Sequence, residues 1–104
     1  MDGAMDDAMD RVALVARWLE LTRVVLPDMA AAAGWPIRLD HCFMRVFLDH
    51  AMGGVWHERV RRPAVTHMAT EDLRNAVALA EATVLAPESL AALNTQSLVW
   101  RGKR

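Results

Sequence analysis

The sequence has 104 residues, 54% of them apolar, and a formal charge of −1. That length suits one domain with a modest core, and five glycines with four prolines exclude a disordered or fibrous composition. A charge so close to zero offers no global field for nucleic acid or an anionic membrane, and no apolar run reaches the roughly 20 residues that a membrane-spanning helix needs.

Cys42 is the single cysteine, which excludes an intrachain disulfide and points to a reducing cytoplasm. Asp2, Asp6, Asp7 and Asp10 give the start of the chain the wrong sign for a secretory leader. The expectation is therefore a cytoplasmic protein with one domain over residues 1–104, of which residues 1–5 are disordered. Acids exceed bases over residues 1–30, and bases exceed acids in the middle, where Arg38, Arg45, Arg59, Arg61 and Arg62 lie.

A first helix is predicted from near Asp6 to the mid-twenties. Val12, Val15, Leu19 and Leu26 follow a helical rhythm, and Leu14, Trp18, Leu21 and Val25 widen the stripe. Pro27 interrupts it, since proline lacks the donor and its ring crowds the preceding turn. A short continuation over Met29–Ala33 is stopped by Gly34 and Pro36. Asp40–Met52 reads as the second helix, with Asp40 as cap and Gly53-Gly54 as stop. The segment Phe43–Leu48 tolerates a strand, but the span and the caps favour helix. This element is expected to be the most buried.

Residues 53–69 form a long irregular connection, with one helical turn around Trp56. Long ordered loops in compact domains are often functional. Thr70 is predicted to cap a third helix whose apolar face is Leu73, Val77, Ala80 and Val84. Pro87 opens a fourth through Leu90, Leu93 and Leu98, ended by Gly102. The fold class is all-α: a compact bundle of four to five helices with one long central loop.

Two groups of residues could carry function. His41, Arg45 and Asp49 recur every four residues on the second helix, with Asp40 at its start, so they share one polar stripe. That stripe could hold a small anion beside an imidazole; its structural reading is an ordinary Arg45–Asp49 helix pair. The second group is Trp56, His57, Arg59, Arg61 and Arg62 in the loop, an aromatic among arginines of the kind that anchors protein interfaces or stacks and neutralises nucleic acid. His41, His50, His57 and His67 fall within 27 residues, and Cys42 lies among them. Their spacings match no compact metal motif, so no metal and no cofactor are expected. Cys42 reads as a small apolar residue of the core.

Leu39–Arg45, Arg62-Pro63-Ala64 and Leu73–Glu81 resemble short bacterial helical chains, some of which carry an N-acetyltransferase label. The label implies a mixed sheet and a glycine-rich loop cradling a pyrophosphate at a helix N-terminus. Gly53-Gly54 instead follows a helix, and strand candidates are absent, so no residue takes a role from the resemblance. The leading expectation is a noncatalytic helical module that binds a protein partner or a second copy of itself through the 53–69 loop and the exposed end of the second helix. The alternatives are a small ligand-binding, anion-binding or enzymatic domain centred on Asp40, His41, Arg45 and Asp49, and nucleic-acid binding through Arg59, Arg61 and Arg62, which the net charge disfavours.

Overall fold

The computed structural model describes residues 3–102, with side chains from residue 10 onward. Its elements in chain order are α1 (Gly3–Glu20), a π-helical turn (Leu21–Val25), α2 (Leu26–Ala33), α3 (Asp40–Met52), a 3-10 turn (Trp56–Glu58), α4 (Ala64–His67), α5 (Thr70–Leu85), a second 3-10 turn (Pro87–Ser89) and α6 (Leu90–Trp100). The fold is an all-α bundle, and among the described residues there is no strand. No single helix among them is long and apolar enough to cross a membrane. Of the segment expected to be disordered, residues 3–5 lie in the first turn of α1 and residues 1 and 2 lie outside the described residues.

The first helix does not stop at Pro27. Helical structure continues from residue 3 to residue 33; a straight run of that length spans about 46 Å, and the longest dimension of the molecule is 45 Å. The π turn makes this continuity possible. Leu26 N–H donates to the Leu21 carbonyl five residues back, which widens the turn just ahead of a residue that cannot donate. The extra residue also re-phases the apolar face. Leu21 and Leu26, five apart, are both fully buried, whereas uninterrupted α geometry would aim them apart. The stripe read from the sequence is corrected accordingly: Trp18, Leu21, Leu26 and Ala30 enter the core, while Val12 is 72% exposed.

Helix α3 lies at the centre, against α5, α6, the π turn and the Trp56–Glu58 turn. Phe43, Val46 and Phe47 are fully buried, each side chain contributing about 1.5–3 kcal/mol through burial. Its start differs from expectation. Leu39 occupies the N-cap position and Asp40 is the first helical residue; the Asp40 carboxylate accepts the His41 N–H at 2.7 Å. Thr70 is likewise the first residue of α5, not its cap, and its hydroxyl accepts Arg11 Nη1 at 3.0 Å. Arg11 Nη2 also reaches the Val65 carbonyl at 2.8 Å, which ties α1 to the end of the long connection. After Leu85 the chain turns through 116° into the last helical segment, bringing α6 back across α3.

Candidate functional site

One cavity of about 520 Å³ opens between the end of α1, the π turn, one face of α3 and the 53–69 connection. Each element supplies residues for a local reason. The α3 residues His41, Met44, Arg45 and Leu48 line it because three- and four-residue spacings share a helix face. Trp18 and Leu19 come from the last turn of α1, and Arg23 from the π turn. The connection contributes Trp56, His57, Arg62, Pro63, Ala64 and Val65, and Arg101 reaches in from just past α6. The lining is thus an apolar bed edged by four guanidiniums and two imidazoles. Among the described lining residues there is no carboxylate, hydroxyl or thiol.

Behind this wall sits Asp49, completely inaccessible to solvent. Its Oδ2 accepts Arg101 Nε at 2.7 Å and Ser97 Oγ at 2.7 Å. Its Oδ1 accepts Arg101 Nη2 at 2.9 Å and the Trp56 backbone N–H at 3.0 Å. Burial alone would raise the carboxyl's pKa; the Arg101, Ser97 and Trp56 hydrogen bonds outweigh it and hold the group below the ordinary carboxylate value, hence ionised. The same pairing raises the pKa of Arg101 further above its ordinary value.

The network extends one step outward. Arg45 Nη1 donates to Ser97 Oγ at 2.8 Å, and Arg45 Nη2 donates to the Asn94 side-chain oxygen at 2.7 Å. A single buried carboxylate therefore fixes the backbone of Trp56, both nitrogens of the Arg101 fork and, through Ser97, the pose of Arg45. A guanidinium has five N–H donors, and these contacts use two on Arg45 and two on Arg101. No buried side-chain nitrogen or oxygen among the described residues lacks a partner, so Arg45 Nε and Arg101 Nη1, which these contacts leave unused, are not buried.

Arg62 lies over the Trp56 indole, its guanidinium carbon 5.9 Å from the ring centroid, within cation–π range. His57 meets the same indole edge-on at 5.7 Å. On the outer margin, Arg23 Nε is 3.9 Å from the Asp40 carboxylate, which also lies 3.7 Å from His41 Nδ1.

The two residue groups read from the sequence turn out to meet. His41 and Arg45 from the first group share a cavity with Trp56, His57 and Arg62 from the second. Asp49 lies beneath the wall, and Asp40 stands outside it. The remaining two loop arginines are elsewhere: Arg59 folds back to donate to the Met52 carbonyl at 2.7 Å and packs beside Gly54, and Arg61 is exposed. The Arg45–Asp49 helix pair is not formed. Asp49 pairs with Arg101, 52 positions away, because the ring of donors from α6 and Trp56 satisfies a buried carboxylate more completely than one flexible arginine on the same helix. His50 is also engaged structurally, its Nε2 2.9 Å from the Leu93 carbonyl and its ring edge-on to Trp100.

Arg23, Asn94, Ser97 and Arg101 were not singled out from the sequence. The available signal was the polar run Asn94–Ser97 within an otherwise apolar helix, followed four residues later by Arg101. Among the described residues no three His, Cys, Asp or Glu side chains converge in a metal-binding arrangement. No family model, curated protein or solved structure matches the chain.

Proposed function

We propose that the protein binds a small organic anion with an apolar body in the cavity between α1, α3 and the 53–69 connection. The observation that carries this reading is the composition of the lining: four arginines and two histidines around Trp18, Leu19, Met44, Leu48 and Val65, with no acidic residue among the described lining residues. The volume lies in the range of sites for small molecules, which are typically apolar with a few convergent polar groups. Guanidiniums held in place by Asp49, Ser97 and Asn94 lose little freedom on meeting a ligand, which favours affinity. The described lining supplies donors and cations but, besides its imidazoles, nothing to take a proton or attack a substrate, so binding is favoured over turnover.

The docking-module reading draws less support. Trp56, its natural anchor, has its amide bound to Asp49 and its ring engaged by Arg62 and His57. The nucleic-acid reading loses Arg59 to an intramolecular contact. The proposed setting is the reducing cytoplasm, in keeping with the single Cys42.

The test is titration with benzoate and phenyl phosphate, followed by the indole N–H resonances of the four tryptophans. The expected outcome is a saturable shift of Trp56, with Trp100 unmoved, that is weakened in Arg45→Gln. A response spread over all exposed arginines, growing linearly with concentration, would mean surface screening and would sink the proposal.

A further inference from the structure

Among the described residues, the arginines that line this cavity are not all matched by carboxylates. Four guanidiniums line it. Arg101 is matched by Asp49 through a two-point contact, and Arg23 by Asp40 at 3.9 Å. Arg45 bonds only to the neutral acceptors Ser97 and Asn94, and Arg62 lies over an indole; neither has a carboxylate within ion-pairing distance among the described residues. Among the described residues, these two positive charges have no ion-pair partner. Both belong to the lining of one cavity, one on α3 and one on the loop.

Resting on the binding reading above, we infer that the ligand carries a doubly charged anionic head, as a phosphate monoester or a dicarboxylate does, on an apolar or aromatic body. A monocarboxylate can match only one of the two guanidiniums, whereas a dianion can match both. A dianion takes up the Arg45 donors left over by Ser97 and Asn94 and draws the Arg62 guanidinium inward from the Trp56 ring. Hydrogen bonds between charged partners are the stronger kind, and guanidinium suits both head groups. The apolar residues Leu19, Met44, Leu48 and Val65 then receive the body, so a bare inorganic dianion gains only part of the binding.

The experiment is calorimetric titration at pH 7.5 with phenyl phosphate, phthalate, benzoate and inorganic phosphate. Phenyl phosphate or phthalate should bind about tenfold or more tighter than benzoate and tighter than inorganic phosphate. Whichever of the two dianions binds better identifies the head group. Arg62→Gln, an exposed position whose change spares the core, should bring the preferred dianion down to the affinity of benzoate, and Arg45→Gln should do the same. Equal affinity for benzoate and both dianions overturns this inference while the binding reading stands. Failure of every probe to bind overturns both. Inorganic phosphate binding as tightly as phenyl phosphate removes the apolar body from the proposal.

Discussion

Two charged clefts among the described residues differ in how their charges are matched. The smaller, of about 400 Å³, runs between α1 and α5 and is lined by Asp10, Arg17, Arg74 and Glu81 with Ala13, Leu14 and Val77. There every guanidinium has its own carboxylates: Arg17 grips Glu81 through two contacts of 2.7 Å and Glu20 through another, while Arg74 lies 3.5 Å from both Asp10 and Glu71. The larger cleft carries four arginines, and the carboxylates that serve them, Asp49 and Asp40, stand outside its lining. Density of charge therefore says little about function. The first cleft is a seam that two helices close between themselves; in the second, Arg45 and Arg62 have no carboxylate within ion-pairing distance among the described residues.

Asp49 separates the two most sharply, and its removal should have the largest effect. Asp49→Ala strands the Arg101 guanidinium, whose side chain is only 19% exposed, and leaves the Trp56 amide and the Ser97 hydroxyl without their acceptor. Breaking a buried pair from one side costs about 3–5 kcal/mol, a large share of the roughly 5–15 kcal/mol that holds a domain together. Urea denaturation should register it as a drop in midpoint. A loss below about 1 kcal/mol would place Asp49 with the surface pairs and erase the distinction between the clefts.

Acid should reveal the same group. Because the native Asp49 carboxyl titrates below its ordinary value of 3.8, the unfolded chain binds more protons in the interval between the two values, and stability rises with pH there. The Asp49 contribution is complete above the ordinary carboxylate range and is lost as pH falls through the lowered native value. The unfolding free energy should therefore decline on acidification below about pH 4, and Asp49→Asn should flatten part of that decline. A wild-type and variant profile running parallel through this range would mean that Asp49 is not a stabilising anion.

The sequence made the scaffold legible and the wiring much less so. The bounds of α3, the glycine stop at Gly53, the turn at Trp56 and the helix beginning at Thr70 follow from apolar period and terminal residues, which act over a few positions. The π turn was not legible. It answers Pro27 and the offset between Leu21 and Leu26 together, and helical periodicity assumes a constant pitch. His41 and Arg45 share the cavity wall, as their spacing on one helix face implies, while Asp49 one turn further on is buried beneath it. What the stripe contacts depends on α6 folding back across α3, so the partnership of Asp49 with Arg101 could not be read locally. The local rule even suggested a competitor, Arg45, four residues away. The loop residues Trp56, His57 and Arg62 were noticed as a separate surface, and only the tertiary fold joins them to the stripe.

The seam between α1 and α5 gives the smallest effect and the sharpest control. Glu81→Gln removes a carboxylate whose geometry toward Arg17 matches that of Asp49 toward Arg101, and whose pKa is likewise lowered, here by the hydrogen bond from Arg17. Yet the two side chains are 38% and 41% exposed, so water solvates whatever the substitution frees, and Arg17 retains Glu20. Exposed pairs contribute little and are screened by salt. The urea midpoint of Glu81→Gln should match that of the wild-type protein within replicate error at physiological ionic strength, and phenyl phosphate affinity should not change. A midpoint loss comparable to that of Asp49→Ala would mean that contact geometry, not burial, sets the worth of an ion pair in this protein. A change in phenyl phosphate affinity would mean that the two clefts communicate through α1, whose last turn presents Trp18 and Leu19 to one cleft while Arg17 serves the other.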